Sequence, residues 1–259
     1  MVGWTLAGGL VAGLLIATVT APVGVSGAVF LLPIQMSVFG VPSPAITPTN
    51  LLFNVVAGPG ALWRYRRDGA LRGDLARRLM LGTLPGVVLG AAVRVFALPG
   101  PDVFRLLIAV LLLPLGLWLC LHALTAAHHR PPPAGELPPR TLTGLALAVG
   151  VVGGIGGGSL LGPILVGRGL PVARVAPAAL AATFATSFVG AAAYTLLSLA
   201  STGDVAPDWW LGLARGTGGL IGGYLGAHLQ PRLPERALRL LLGTLAAALG
   251  ALYAAQTLT

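Results

Sequence analysis

The stretch Gly150-Val151-Val152-Gly153-Gly154-Ile155-Gly156-Gly157-Gly158-Ser159-Leu160-Leu161-Gly162-Pro163 decides how the rest of the chain is read. It carries no charge and is apolar enough for hydrocarbon, yet its glycines and proline are too many for an uninterrupted helix. Irregular backbone at membrane depth survives only where protein or a wet cavity covers it, so the stretch marks an interior break rather than a lipid-facing span. The whole composition agrees: 56% of residues are hydrophobic, 9% are charged and the mean hydropathy is +0.88. Those values exclude a water-soluble fold, and disordered segments, being poor in apolar residues, are excluded with it. Gly154-Ile155-Gly156 lacks the alternating strands and helices and the downstream acid of a dinucleotide loop, so nucleotide binding is rejected.

Working outward, a span needs roughly 20 apolar residues to cross about 30 Å of hydrocarbon. Charge-free runs of that order predict helices near 3–21, 23–39, 45–63, 79–97, 104–124, 141–155, 157–168, 175–199, 209–228 and 238–257. The second and seventh are short, bracketed by Gly24, Gly27 and Gly40 and by Gly156, Gly157, Gly158, Gly167 and Gly169, with Pro33 and Pro163 inside them. They read as broken or re-entrant hairpin arms. From Met1 to Trp63 there is no Lys, Arg, Asp or Glu, so the positive leading region of a cleaved signal is missing and the first segment is expected to be retained.

A Pro-rich linker, His128 to Arg140, divides the chain into two similar halves, 1–127 and 141–259. Gly27 to Ile34 matches Gly157 to Ile164 at an offset of 130 residues. At 129, Val41-Pro42 meets Leu170-Pro171, Pro48 meets Pro177, Asn54 meets Thr183 and Tyr65 meets Tyr194. Leu89-Gly90-Ala91 pairs with Leu225-Gly226-Ala227, and the order of the matches is kept. Charge sets their relative orientation. The loop after the third segment carries Arg64, Arg66, Arg67, Arg72, Arg77 and Arg78, which the positive-inside rule places in the cytoplasm. Its counterpart, Ser201 to Asp208, has no Arg and two acids, and belongs outside. One loop earlier the contrast reverses, with residues 38–47 uncharged against Arg168 and Arg174. The expected fold is therefore an all-α polytopic membrane protein of two inverted repeats, each a Gly-broken hairpin plus three transmembrane helices. The linker is then cytoplasmic and both termini lie outside. All sixteen basic residues are Arg; the net charge of +9 and pI of 11.4 follow membrane orientation and imply no nucleic-acid partner.

Inverted repeats broken at matching positions point to a secondary transporter whose site lies where the repeats meet. Here that junction sets Thr20 to Gly27 against Gly150 to Ser159. Half-helix N-termini expose N–H groups and partial positive charge, which suits an anion. Ser26, Gly27, Gly156, Gly157, Gly158 and Ser159 are the candidate binding residues on the breaks; the competing reading is that such glycines only let helices approach closely. Asn50 and Asn54 lie one turn apart on one face of the third segment, opposite Thr183, Thr186 and Ser187. Amides in hydrocarbon need partners, so these side chains bond substrate or tie helices together inside the bundle. Arg215 either snorkels to the outer headgroups or serves as a substrate counter-ion. His122 and His228 sit near segment ends and read as interfacial. Every Asp and Glu falls in a loop or at a segment end, so no carboxylate proton relay is expected. Cys120 stands alone, and His128-His129 has no matching ligand set, so no metal or cofactor is implied. No constellation for a membrane enzyme is present in sequence.

The two Gly-rich hairpins, with Gly27…Pro33 and Gly157-Gly158-Ser159…Pro163 each followed by a small-residue helix, resemble the TauE/SafE family of sulfite and organosulfur anion exporters. The likeness covers essentially the whole chain. It implies a bacterial inner-membrane carrier that moves small sulfur-containing anions, such as sulfite or sulfoacetate, outward; rocking of the repeat units makes alternating access the expected mechanism. The first hairpin departs from the fuller glycine cluster, having Val25-Ser26-Gly27 where the second has Ile155-Gly156-Gly157. The expected partners are the small anionic substrate and membrane lipids, and the Gly/Ala faces leave room for a homodimer. An anion channel remains open as the alternative, with a membrane-embedded enzyme or scaffold subunit further off.

Overall fold

The computed structural model describes residues 2–31, 43–71, 73–96, 102–125, 138–155, 160–200 and 207–258, and among them all regular structure is helical. In chain order the helices are α1 (Val2–Thr20), α2 (Ser43–Arg67), α3 (Asp74–Phe96), α4 (Asp102–Thr125), α5 (Pro139–Ile155), α6 (Leu161–Gly167), α7 (Val172–Ala200), α8 (Trp209–Leu229) and α9 (Glu235–Leu258). Four segments among the described residues, Trp4–Val23, Asp74–Val93, Val172–Leu196 and Glu235–Gln256, are long and apolar enough to cross a membrane. Trp4, Leu106, Val110, Leu121, Leu196 and Trp210 stand exposed on the outside of the bundle. Apolar surface of that kind fits hydrocarbon as its solvent.

Several helices outrun the apolar windows that predict them. The segment expected at 45–63 runs to Arg67, and the one expected from 79 begins at Asp74. Arg is a good helix former, and ion pairs one turn apart, Arg64 with Asp68 and Arg78 with Asp74, support those ends outside the apolar run. Pro48, Pro59, Pro85, Pro114 and Pro177 lie inside helices, as membrane helices tolerate where neighbours re-satisfy the freed carbonyls.

The break after α1 is built in detail. A 3-10 turn, Ala21–Val23, ends at Gly24 with φ +73°, a left-handed conformation that favours glycine. A Cβ there would also run into the Ala176 backbone. Helical structure resumes at Ala28, later than the expected start at 23, because Gly24 diverts the chain. The carbonyls of the 3-10 turn are used: Tyr65 Oη donates to Ala21 O at 2.9 Å, and Gln230 Nε2 donates to Pro22 O. In the second half α6 has seven residues, about 10 Å at 1.5 Å per residue, and cannot cross a bilayer. Gly169, at φ +96°, closes it. The far part of the first arm, residues 32–42, and Gly156 to Ser159 lie outside the described residues.

Helix packing interlocks the two halves. The main partners are α1 with α8, α3 with α5, α2 with α8, α3 with α7, α2 with α7, and α4 with α9. Each pair joins one half to the other. If α1 corresponds to α5, α2 to α7, α3 to α8 and α4 to α9, every pairing maps onto another or onto itself. The largest buried cluster likewise draws Val29, Leu79 and Leu112 together with Leu161, Val172 and Leu242. Glycine makes the closest crossings. A Cβ on Gly218 or Gly222 of α8 would strike the backbone of Leu10 or Leu14 on α1, and one on Gly86 of α3 would strike that of Leu147 on α5.

Candidate functional site

A narrow cavity, with about 20 Å³ of space for water, opens where the two halves meet. Ser26 and Ala28 bring the first break to its wall, and Gly150 brings the end of α5. From α2 come Thr47, Asn50 and Asn54, which follow one helix face at spacings of three and four. Thr183, Thr186 and Ser187 of α7 stand opposite, and α3 adds Thr83. A hydrogen-bond chain crosses the junction. The Ala28 N–H donates to Ser26 Oγ at 3.2 Å, Ser26 Oγ donates to Asn54 Oδ1 at 2.6 Å, and Asn54 Nδ2 donates to Ser187 Oγ at 3.0 Å. One amide on α2 thus joins the broken segment to α7, 133 residues further along the chain.

Among the described residues the wall holds no Asp, Glu, Lys, Arg or His. Its polarity comes from the Asn50 and Asn54 amides and from the hydroxyls of Ser26, Thr47, Thr83, Thr183, Thr186 and Ser187. Thr186 Oγ1 and Thr83 Oγ1 donate to carbonyls of their own helices, Ala182 O and Leu79 O, each at 2.8 Å. Asn54 is different: its amide has two donor hydrogens, and among the described residues one is used, on Ser187. The cavity is neutral, half-enclosed and able to donate to an oxyanion. Among the described residues no cluster of three His, Cys, Asp or Glu stands ready for a metal.

Of the residues singled out in sequence, Ser26, Asn50, Asn54, Thr183 and Ser187 line this one cavity. Gly27 lies on the neighbouring cavity, and Gly156, Gly157, Gly158 and Ser159 fall outside the described residues. Arg215 lines neither cavity. The expectation that it snorkels to the outer headgroups is overturned, because its side chain is 0% exposed. It lies along α1 where glycines make room: a Cβ on Gly9 would stand 3.2 Å from Arg215 Cγ. Asp208, the N-cap of the same helix, acts on it electrostatically. Sequence reading missed Thr47 and Thr83. Thr47 continues the Asn50–Asn54 face by one turn and was open to that argument; Thr83 is a lone hydroxyl in an apolar helix, with no local signal.

The second cavity, with about 40 Å³ of space for water, is lined by Thr20, Ala57, Gly58, Phe184, Gly219 and Gly223 among others, and shares Ser26, Asn54 and Thr183 with the first. Along α2 the order runs from Thr47 and Asn50 on the first cavity, through Asn54 on both, to Ala57 and Ala61 on the second. Along α7 it reverses, from Leu180 on the second, through Thr183 on both, to Thr186 and Ser187 on the first. The repeat offsets exchange the two linings. At 129 residues Leu51, Ala57 and Gly58 correspond to Leu180, Thr186 and Ser187; at 136, Thr83 and Val87 correspond to Gly219 and Gly223. Hydroxyls on one side are therefore replaced by Ala and Gly on the other.

Comparison with known proteins gives one result. The family model described as sulfite exporter TauE/SafE matches residues 9–253, nearly the whole chain. No curated relative and no solved structure matches the chain.

Proposed function

The chain belongs to the sulfite exporter TauE/SafE family, a membrane transporter family, and from that premise we propose that it exports small sulfur-containing oxyanions such as sulfite or sulfoacetate across the bacterial inner membrane by alternating access. The observation that carries the reading is the chain from Ser26 through Asn54 to Ser187 in a cavity that no ionised side chain among the described residues lines. A neutral donor-lined site holds an anion without the tight ion pairing that would slow its release. Inverted repeats support the mechanism. The exchange of helix pairings, the opposite sense of α2 and α7 across the cavities and the exchange of cavity linings are what a two-fold axis through Asn54 and Thr183 would produce. The Arg-rich end of α2 then faces the cytoplasm.

Energetics favour the outward direction. Each negative charge leaving an interior-negative cell gains about 2.3 kcal/mol per 100 mV, so export of a mono- or dianion proceeds without a coupling ion. That suits a site free of carboxylates. Purified protein in proteoliposomes loaded with sulfite is expected to show saturable efflux that accelerates by roughly tenfold or less per negative charge moved when an inside-negative potential of 60 mV is imposed. Flux that never saturates would make the protein a channel. Absence of both sulfite and sulfoacetate flux would remove the substrate class.

A further inference from the structure

We infer that the two cavities are the outer and inner vestibules of a single permeation path, closed between them by the Ser26–Asn54–Ser187 hydrogen-bond chain, and this rests on the transport reading above. Three facts converge. Both cavities are lined by Ser26, Asn54 and Thr183, so among the described residues that layer lies between them. Their far ends lie on opposite halves of α2: Thr47 marks one and Ala61 the other, 14 residues and about 21 Å apart along the helix. The layer itself is held by two side-chain hydrogen bonds linking three separate segments, so a displacement of α7 against α2 would break it.

The linings give the two halves different tasks. The vestibule on the Thr47 side offers Asn50, Thr83, Thr186 and Ser187, whereas the corresponding wall on the Arg-rich side presents Gly219, Ala57 and Gly58, with the Phe184 ring packed on Gly58. Beyond the shared layer the Arg-rich wall carries one hydroxyl, Thr20, so an oxyanion that passes Asn54 from that side enters the more polar of the two compartments. Asn54 faces both compartments and hands the ion across, so it is the residue at which the path selects for oxyanions.

Sided thiol labelling tests this in the full-length protein. With the sole cysteine removed as Cys120→Ala, Thr47→Cys and Ala61→Cys are introduced separately. Right-side-out and inside-out vesicles are then exposed to the small, membrane-impermeant anion methanethiosulfonate ethylsulfonate. Thr47→Cys is expected to react from one face only and Ala61→Cys only from the opposite face. Adding Ser187→Ala, or Ser26→Ala as an independent variant, removes one hydrogen bond of the layer and is expected to raise reaction of Thr47→Cys from its disfavoured face by about fivefold or more. Reaction of both cysteines from the same face, reaction from neither, or unchanged sidedness in both alanine variants would overturn the inference. The labelling needs no sulfite, so sided reaction in a protein that carries no sulfite would sink the substrate reading and leave the path standing.

Discussion

Gly218→Val is expected to abolish recovery of monodisperse protein from membranes, whereas Gly8→Ala on the facing helix leaves yield and thermal stability unchanged. The α1–α8 crossing is a backbone-on-backbone contact: a Cβ on Gly218 would run into the Leu10 carbonyl, Gly13 meets Arg215 in the same way, and Gly8 has open space. Overpacking a core against side chains costs about 1–3 kcal/mol because side chains change rotamer. A helix backbone has no such freedom, so the two helices must separate. Separation would also withdraw the glycine-lined groove that buries Arg215 and strand a cation among apolar groups. Gly82 and Gly86 occupy the matching positions on α3 against α5, and valine at Gly86 is expected to act alike. Size-exclusion profiles in mild detergent and melting curves measure the effect. A well-folded Gly218→Val protein would show that α1 and α8 do not pack in this register.

The second large effect belongs to Asn54→Asp, which keeps the side chain's size while placing a carboxylate at the layer shared by both cavities. The substitution removes the amide donor to Ser187 and sets a negative charge on the proposed oxyanion path. At about 4 Å and an effective dielectric near 20 that repulsion is ~4 kcal/mol, on the order of a thousandfold in binding or flux. Asn54→Ala removes only hydrogen bonds and is expected to cost about 1–3 kcal/mol, with the protein still folded. Proteoliposome efflux of sulfite separates the two variants. If Asn54→Asp transports as well as the parent, the anion does not pass Asn54.

What the sequence showed early, and what it hid, divides along physical lines. Asn50 and Asn54 stood out because amides are costly in hydrocarbon, and Thr183 and Ser187 because they match or neighbour them across the repeat offset. All four line one cavity. The break at Gly24 was visible from glycine and proline alone, but its left-handed geometry and the Tyr65 and Gln230 bonds depend on residues far along the chain. Arg215 was misread for the same reason. Nothing near it in sequence shows that Gly9 and Gly13, some 200 residues earlier, form its groove. Helix ends were set too short because an apolar window stops at the first Arg while the helix itself continues, as α2 does through Arg64, Arg66 and Arg67. The second cavity was harder to see, since apart from Thr20 and the shared Ser26, Asn54 and Thr183 its wall is Ala, Gly, Phe, Val and Leu.

The proposed function and the proposed path both require the two halves to be oppositely oriented, and the sidedness of two loops tests that requirement. In the Cys120→Ala protein, Gly73→Cys samples the Arg-rich connection, where added side chains have open space, and Asp204→Cys samples its counterpart. A membrane-impermeant maleimide applied to intact cells is expected to label Asp204→Cys at once and Gly73→Cys only after permeabilisation. Equal labelling of both from the same side would contradict the inverted arrangement.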